Sequence, residues 1–273
     1  MAADMKEQRL RKILGDLGSV LVAFSGGVDS SLLLKVAVDT LGHDNVLAVT
    51  ATSSTYPKPE LDEACRIAEQ IGARHMVIES EETEIPEFVA NPPNRCYYCK
   101  RELFGKLARL AEEQGLAAVV DGSNADDRAD HRPGRQAAEE LHVRSPLMEA
   151  GLTKADIREL SRQVGLPTWD KPALACLSSR FPYGTTISPE KLSQVEAAEQ
   201  LLRKKGFRQV RVRHYDYTAR IEVGATELKR FFEGSLIAEV VAELKRLGYT
   251  YVTLDLEGYR TGSMNEVLPA REQ

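Results

Sequence analysis

Short apolar stretches alternate with helical patterns in the first half of the chain. Apolar strands are predicted at 21–24, 45–51, 75–78 and 117–121. Amphipathic helices are predicted before and between these strands, at 5–17, 32–41 and 59–71. Strands that alternate with helices pair in parallel through right-handed crossovers. The pattern therefore predicts an α/β domain whose parallel sheet is covered on both faces and binds ligands at the carboxyl ends of its strands.

A smaller domain of a different type is predicted for the rest of the chain. Thr153 and Asp156 suit a capping box at the start of one more helix. Residues 169–184 contain too many proline, serine and glycine breaks for a regular element, which indicates a functional loop and a domain boundary. Beyond this loop the predicted order is helix, strand, strand, helix and strand, at 188–206, 209–214, 219–223, 227–247 and 249–256. We therefore predict two domains, 1–182 and 183–273, the second of α+β type.

The segment VAFSGGVDSS, residues 22–31, joins the first strand to the helix that follows it. Its two glycines let backbone amides approach a phosphate, and the helix N-terminus adds a partial positive charge. Its serine hydroxyls can donate hydrogen bonds, and its aspartate can hold Mg²⁺. No lysine follows the glycines, so the segment is not a Walker A loop. An ordinary glycine turn is the alternative to the phosphate site that we predict, which consists of Ser25, Gly26, Gly27, Asp29, Ser30 and Ser31.

Composition limits the classes of function. The 273 residues are 42% hydrophobic, which is enough for a sizeable core. The formal net charge of −5 argues against a large nucleic-acid footprint. No signal peptide or membrane-spanning run is recognisable, so a cytoplasmic protein is expected. In that compartment the four cysteines are expected to be thiols, metal ligands or catalysts rather than disulfides.

Three of the cysteines lie in segments that suit chemistry. Cys96 and Cys99 form a CxxC pair before a helix that is predicted to start near Arg101, and Cys176 lies in the proline- and serine-rich loop. Three thiolates without an evident fourth ligand suit an iron–sulfur cluster with one open iron. A zinc half-site, a redox pair and unrelated thiols stay open as alternatives. The fourth cysteine, Cys65, lies within a predicted helix and is expected to be a packing residue.

Arginines in the smaller domain indicate an anion site. Period-2 spacing puts Arg211 and Arg213 on the same face of a strand, where their like charges repel each other unless an anion bridges them. Arg180, just after Cys176, is a candidate third cation. A phosphate monoester is the natural ligand, because arginine binds it through two parallel hydrogen bonds. A solvated edge strand is the alternative.

Carboxylates of the smaller domain form a further candidate site. Glu199 falls at the margin of the apolar stripe of its helix, where a carboxylate needs an arginine or a cation as partner. Glu222 shares a strand face with Arg220, and Glu227 follows shortly afterwards. These acids are predicted to form a small metal or arginine cluster, and salt bridges at a domain interface are the alternative.

Polar residues follow the fourth predicted strand. The acids and the amide of residues 121–127, among them Asp126, suit contacts to a ribose, to magnesium or to the rim of a nucleotide. Arg128, Arg132 and Arg135 come next, in a loop that suits phosphates. We therefore expect this strand end to contribute to the same nucleotide site.

Taken together, these motifs resemble one family. SGGVDS resembles the pyrophosphate loop of ATP pyrophosphatases. The chain resembles the LarE family of ATP-dependent sulfur transferases over nearly its whole length. Besides SGGVDS, the segments that carry this resemblance are NRCYYCKREL, DGSNADDRADHRPG, ACLSSRFPYGTTIS, RVRHYDYTARIEV and LDLEGYRTGSMNE. The resemblance implies a Rossmann-like sheet of the adenine nucleotide alpha hydrolase type, with ATP and Mg²⁺ as cofactors. It also implies the reaction: the carboxylate of a pyridinium mononucleotide is adenylated, and sulfur then displaces AMP to give a thiocarboxylate of the nickel-pincer nucleotide cofactor.

The resemblance implies roles for particular residues. Cys176 matches the sulfur-bearing cysteine of the family, and Ser179 and Arg180 match the loop beside it. Arg211 and Arg213 match the arginines that bind the substrate phosphate.

The resemblance also implies a metal content. Cys96 and Cys99 match the two additional cysteines of members that bind a [4Fe–4S] cluster, so with Cys176 they are expected to hold one. No cysteine would then be consumed, whereas other members sacrifice their single cysteine. Glu199 and Glu222 match the acidic site of the family.

Two other functions remain possible from the sequence. A tRNA thiolase of the same superfamily would need a basic face, and a non-catalytic ATP-binding module would need neither the cysteine loop nor the paired arginines. For the sulfur transferase the expected partners are small molecules, with no membrane and no nucleic acid, and a homo-oligomer is expected. In these terms 1–182 is the ATP-binding domain, and 183–273 serves substrate binding and oligomerisation.

Overall fold

The computed structural model describes residues 2–128, 133–172, 175–260 and 262–268. The chain divides into two compact units. The first unit consists of Met1–Ile85 and Asn94–Leu174, and the second unit consists of Pro86–Pro93 and Ala175–Gln273. Among the helices in these described ranges, none has both the length and the apolar character needed to cross a membrane.

Helices and strands alternate in the first unit, as the apolar pattern predicts. The strands in the described ranges are β1 (Val20–Ala23), β2 (Val46–Thr52), β3 (Arg74–Glu79), β4 (Ala118–Val120), β5 (Val210–Tyr215), β6 (Thr218–Val223) and β7 (Tyr251–Leu254). The α-helices are α1 (Ala2–Leu17), α2 (Val28–Leu41), α3 (Lys58–Ile71), α4 (Pro86–Val89), α5 (Arg95–Glu113), α6 (Pro133–Glu140), α7 (Pro146–Glu149), α8 (Lys154–Gln163), α9 (Pro189–Lys204) and α10 (Leu236–Arg246). Short 3₁₀ segments lie at His43–Asn45, Glu82–Glu84, Ala125–Arg128, Leu177–Arg180, Ala225–Phe232 and Ser263–Asn265.

The described strands of the first unit form a parallel sheet in the order β3-β2-β1-β4. This arrangement confirms the predicted α/β fold. The chain moves outward from β1 to β3 and then places β4 on the other side of β1, so the direction of winding reverses between β1 and β4. A crevice opens beyond the carboxyl ends of the strands at such a point, and ligands bind there. The loops that follow β1 and β4 are therefore the first candidates for a site.

Both faces of the central strand β1 are buried, which explains why it is a continuous apolar run, whereas the edge strand β3 carries polar and exposed residues. Val20 and Val22 of β1 belong to a core that includes Leu33 of α2. Leu21 points the other way, into a core that includes Phe104 of α5. Each such side chain stabilises the fold by about 2 kcal/mol when it is fully buried.

The second unit contains a mixed sheet in the order β5-β6-β7. β5 and β6 are antiparallel, whereas β6 and β7 are parallel. Val212 and Ile221 lie on one face of this sheet and share a core with Leu202 of α9. The other face carries Arg211 and Glu222, which are paired in register. The predicted α+β class of the C-terminal region is thereby confirmed.

Some predicted elements differ from the observed ones. The single helix predicted at 227–247 is two segments, since Gly234, with a left-handed φ of 58°, separates Ala225–Phe232 from α10. The last strand is shorter than predicted because it pairs with β6 over Tyr251–Leu254 alone. Helix α5 begins at Arg95, so the CxxC pair lies inside the helix rather than before it.

The predicted domain boundary, between residues 182 and 183, differs from the division between the two units. The cysteine-bearing segment belongs to the second unit because Arg180 pairs with Glu199 of α9. Pro86–Pro93 also belongs to the second unit, because the side-chain amide of Asn91 donates a hydrogen bond to the carbonyl of Pro182 at 2.8 Å. Contacts between such distant parts of the chain leave no local signal in the sequence.

Candidate active site

The glycine turn after β1 is held by close packing. Gly26 has a φ of 63°, and a Cβ at this position would lie 2.8 Å from the Cβ of Ala64 in α3. Both the backbone conformation and the lack of space therefore require glycine. Gly27 follows in an extended conformation and precedes the first turn of α2. The first amides of a helix have no acceptor within the helix, so this turn presents hydrogen-bond donors to an anion.

Serine hydroxyls stabilise the turn from inside. The Oγ of Ser30 accepts a hydrogen bond from the amide of Ser25 at 3.3 Å and donates to the carbonyl of Gly27 at 3.3 Å. The two hydroxyls of Ser25 and Ser30 are 3.2 Å apart. Ser31 is fully buried, and among the described residues its hydroxyl has no hydrogen-bond partner. Ser30 is also buried, whereas Ser25 is exposed, so in this conformation Ser25 is the serine of the turn that a phosphate can reach.

Asp29 lies where the loops after β1 and β4 meet. Its carboxylate accepts hydrogen bonds from the ammonium group of Lys154 and, at 3.3 Å, from the amide of Asn124. The backbone amide of Lys154 donates to Asp126 at 2.8 Å. The loop after β4 passes close to α2, because a Cβ on Gly122 would lie 3.0 Å from the amide nitrogen of Ser30. The structure thus brings two of the predicted acids and their partners to the same end of the sheet.

The arginines predicted beyond this loop are only partly described. The side chain of Arg128 and the whole of Arg132 lie outside the described residues. Arg135 is in α6, where its guanidinium pairs with Glu139 at 2.9 Å. Its role at phosphates stays a prediction.

Two side chains that sequence reasoning missed hold the carbonyls of the turn. Lys171 donates to the carbonyl of Gly26 at 3.2 Å and forms ion pairs with Glu60 at 2.9 Å and Glu63 at 2.8 Å. The hydroxyl of Tyr56 donates to the carbonyl of Ser25 at 2.8 Å. Burial and the nearby acids raise the pKa of Tyr56, so this hydroxyl stays protonated as a donor. Neither residue carries a motif, and only their position in the fold reveals them.

The predicted cysteine ligands lie in different units. Cys96 and Cys99 are three positions apart in the first turns of α5, so they share one face of the helix. Cys176 immediately precedes the 3₁₀ segment Leu177–Arg180 in the second unit. The side chains of Cys96 and Cys176 are exposed. In the described part of the chain, no three His, Cys, Asp or Glu side chains are gathered as a metal site, so the three-thiol site stays a prediction.

The backbone that carries Cys176 is fixed by hydrogen bonds. The carbonyl of Cys176 accepts from the amide of Ser179 at 3.0 Å, from its hydroxyl at 2.9 Å and from Arg180 at 2.9 Å. Arg180 also donates to the carbonyl of Ala175 at 2.8 Å. A rigid backbone therefore presents an exposed thiol.

Arg180 is anchored by a buried carboxylate. Its Nε and Nη2 donate to the two oxygens of Glu199 at 2.7 Å and 2.9 Å, and both side chains are almost fully buried. Glu199 also accepts from the amide of Val212 at 3.1 Å, which satisfies a donor on the outer edge of β5. Burial opposes the charge of Glu199, but the charge and hydrogen bonds of Arg180 outweigh it, so the pKa of Glu199 lies below its usual value.

Arg211 and Arg213 lie on one face of β5, as the spacing predicts, but their surroundings differ. Arg213 forms two hydrogen bonds with Glu222, at 2.9 Å and 2.7 Å, and a third with the carbonyl of Ser179 at 2.9 Å. Arg211 lies over the ring of Tyr259, 5.1 Å from its centroid. Burial, followed by the nearby charge of Arg180, lowers the pKa of Arg211 to about 10. A bound anion would relieve this unfavourable charge.

Positive charge exceeds negative charge around this face of the sheet. Within the described residues the group contains Arg180, Arg203, Arg211, Arg213 and Arg220, against Glu199, Glu222 and Asp255. Five arginines thus face three carboxylates. Arg203 and Arg220 are about a third exposed, so the buried members are three arginines and the carboxylates of Glu199 and Glu222. This smaller buried excess of positive charge favours an anionic ligand over a metal cation.

The predicted acidic cluster is an arginine cluster in the structure. Glu199 and Glu222 each bind arginine, and their ion pairs lie inside the second unit. Glu227 is not part of this group, since it accepts from the backbone amide of Arg208 at 3.1 Å and pairs with Arg230 at 3.3 Å. Metal binding by Glu199 and Glu222 stays a prediction.

Comparison with known proteins identifies the family. Residues 5–90, which include the glycine turn, match the family model described as NAD synthase. A pyridinium-3,5-bisthiocarboxylic acid mononucleotide synthase of Lactiplantibacillus plantarum is 43% identical over 263 residues, which cover 96% of this chain and 95% of that protein. This chain is a member of the LarE family. The family resemblance carried by the motifs is thereby confirmed.

Two further relatives define the range of similarity. An uncharacterized protein of Synechocystis is 47% identical over 265 residues, which cover 97% of this chain and 98% of that protein. A tRNA-specific 2-thiouridylase of Rhizobium rhizogenes is 31% identical over 191 residues, which cover 54% of this chain and 47% of that protein. The similarity to the LarE family therefore spans both units, whereas the similarity to the thiouridylase covers about half of the chain.

Replacement of Gly26 by alanine tests the packing of the turn. We expect Gly26→Ala to weaken ATP binding by about tenfold or more, because the new Cβ displaces either the turn or α3. Calorimetric titration with MgATP measures this effect. Gly18→Ala is the matched control, since Gly18 has a φ of 76° and open space around it. Equal ATP affinities of the two variants would contradict the packing argument.

Replacement of Glu199 by glutamine tests the buried ion pair. We expect Glu199→Gln to lower the free energy of unfolding by about 3 kcal/mol, because the charge of Arg180 stays buried without its carboxylate. Urea unfolding of the full chain measures the change. Glu243→Gln is the control, because it breaks an exposed pair with Arg246 on α10 and should cost well under about 1 kcal/mol. Similar losses in both variants would show that Arg180 finds another partner.

Proposed function

We propose that this LarE family member is an ATP-dependent sulfur transferase that converts a carboxylate of a pyridinium mononucleotide into a thiocarboxylate. The carboxylate oxygen attacks the α-phosphate of ATP, and pyrophosphate leaves. A sulfur nucleophile then attacks the acyl carbon and displaces AMP. The observation that carries the proposal is the 43% identity to a synthase of this name, which spans 96% of the chain. A match over 96% of the chain includes both the glycine turn and the cysteine segment.

The glycine turn suits the nucleotide in this reaction. Its backbone donors and the start of α2 lie at the carboxyl end of β1, where they would hold the pyrophosphate part of ATP. The carboxylate of Asp29 already binds a cationic partner, the ammonium of Lys154, so it suits Mg²⁺ as well. Mg²⁺ would neutralise phosphate charge that develops on the leaving pyrophosphate.

The charged face of the second unit suits the mononucleotide. Arg211 is buried, and the pKa of its guanidinium is lowered mainly by that burial, so a phosphate monoester would restore a favourable environment. Arg213 is held in place by Glu222 and bonds the carbonyl of Ser179, next to the cysteine segment. We therefore assign the substrate phosphate to this face.

Cys176 suits sulfur delivery because its thiol is exposed on a fixed backbone. Cys96 and Cys99 supply two more thiols on one helix face, and three thiols are a donor set that fits a [4Fe–4S] cluster with one open iron. Such a cluster, when bound, would supply sulfur that does not come from a cysteine side chain. The protein residues then have to hold the acyl-adenylate and exclude water from it.

The remaining properties complete the proposal. Residues 1–182 would bind ATP, and 183–273 would bind the substrate and support a homo-oligomer. We assign the reaction to the cytoplasm, where thiols stay reduced. Thiolation of tRNA is not favoured, because the thiouridylase match covers 54% of the chain and the net charge is −5.

Product analysis tests the proposed reaction. With anaerobically reconstituted protein, sulfide, MgATP and the pyridinium carboxylate mononucleotide, we expect AMP, pyrophosphate and a product in which one oxygen is replaced by sulfur, all identified by mass spectrometry. Cys176→Ser should retain pyrophosphate release and lose the sulfur product, since it removes the thiol but not the ATP site. Cys65→Ser is the matched control and should form product normally. Sulfur transfer without ATP consumption would contradict the proposal.

The source of sulfur needs a separate measurement. After anaerobic reconstitution we expect about four irons and four sulfides per chain, and a strong loss of iron in Cys96→Ser and Cys99→Ser. The mass of the protein should be unchanged after turnover. A protein that is lighter by one sulfur, with no iron bound in the reconstituted sample, would instead show that Cys176 is sacrificed.

A further inference from the structure

The glycine turn does not carry the positive charge that a triphosphate needs. Residues 25–31 include one charged side chain, the carboxylate of Asp29, so the formal charge of the turn is negative. A Walker A loop solves this problem with a lysine directly after its glycines, and no lysine stands there in this chain. Backbone amides and one Mg²⁺ leave phosphate charge uncompensated, so a cation must come from elsewhere in the fold.

Among the residues that the structure describes, two lysines contact the turn, and their surroundings differ. Lys171 is 11% exposed and is neutralised by the carboxylates of Glu60 and Glu63, so its charge is committed to the protein. The side chain of Lys154 is 33% exposed, and in the described structure its ammonium donates to Asp29. Lys154 is thus the cation that can leave its partner without stranding a buried charge.

The fold holds the backbone of Lys154 still and leaves its side chain free to move. Lys154 is the first residue of α8, directly after the capping residue Thr153. Thr153 and Asp156 form the predicted capping box, and the amide of Lys154 donates to Asp126 at 2.8 Å. The four-carbon stem of a lysine then allows its ammonium to change partners while its Cα stays in place.

We propose that Lys154 is the phosphate-binding lysine of this site and that it exchanges partners when MgATP binds. Without nucleotide its ammonium occupies the cation position at Asp29. When MgATP binds, Asp29 would hold the metal, and Lys154 moves to the non-bridging oxygens of the leaving pyrophosphate. The inference rests on the proposed use of ATP. Lys154 is added to the ATP site by this inference. It lies in α8, far from the glycine turn in sequence, and supplies the positive charge that a Walker A lysine supplies in other proteins.

Binding measurements on Lys154→Met test the exchange. In the absence of nucleotide we expect Mn²⁺, followed by electron paramagnetic resonance as a probe of the Mg²⁺ position, to bind about fivefold more tightly than in the wild type, since no ammonium competes for Asp29. MgATP, followed by calorimetry, should bind about tenfold more weakly, because the phosphates lose a cation. Lys154→Arg should restore most of the ATP affinity, since it keeps the charge.

Lys35→Met is the matched control. Lys35 pairs with Asp39 on α2 at 2.7 Å, and the exposure of this pair is similar to that of Lys154 and Asp29. We expect wild-type affinities for both Mn²⁺ and MgATP in this variant. Thermal unfolding of all variants establishes that they are folded.

The outcomes separate this inference from the proposed function. Equal Mn²⁺ affinity in Lys154→Met and the wild type, including no binding to either, would overturn the exchange. Unchanged MgATP affinity in Lys154→Met would overturn it too. If the wild type itself bound no MgATP, the proposed function would fail, whereas the Mn²⁺ titration would still decide whether Lys154 competes for Asp29.

Discussion

The close approach of Gly26 to helix α3 is the constraint on which the nucleotide end of this protein depends. β1 is a central strand with both faces buried, so its carboxyl end has no freedom to move. Where the chain leaves β1, Ala64 lies so near that a side chain on Gly26 has no room. Tyr56 and Lys171 then hold the carbonyls of the turn. The protein thereby occupies the carbonyls of Ser25 and Gly26, and the first amides of α2, which have no acceptor within the helix, are the donors that suit an anion.

Buried charge has a similar organising role in the second unit. A guanidinium in a protein interior is tolerated when its donors are satisfied, and Arg180 meets this condition through Glu199 and the carbonyls of the cysteine segment. The arrangement turns a loop rich in serine and proline into a fixed support for Cys176. Among the described residues on this face of the β5-β6-β7 sheet, arginines outnumber carboxylates. The cluster is held by its ion pairs, and an anionic ligand would neutralise the remaining positive charge. Stability and ligand preference therefore have one electrostatic origin.

The two lysines at the glycine turn show how similar residues acquire different tasks. Lys171 is largely buried and contacts two carboxylates and a carbonyl, so its role is structural: it links α3 to the glycine turn. Lys154 pairs with the carboxylate of Asp29, and its side chain is more exposed than that of Lys171. In the sequence, Lys171 lies in a predicted loop and Lys154 at the start of a predicted helix, and neither is part of a recognisable motif. Their difference is created by the neighbours that the fold brings to each ammonium group.

Local sequence determined the parallel sheet, the glycine turn, the capping box at Thr153 and the shared face of Arg211 and Arg213, because periodicity and cap chemistry act within a few residues. The family, and with it the reaction class, also followed from the order of motifs. Tertiary structure alone decided which charges meet. The partners of Asp29, Lys171 and Arg180 lie on other elements, and the choice among them depends on burial and distance. Such pairings form only when packed layers bring remote side chains together and water is excluded, and no local pattern records them.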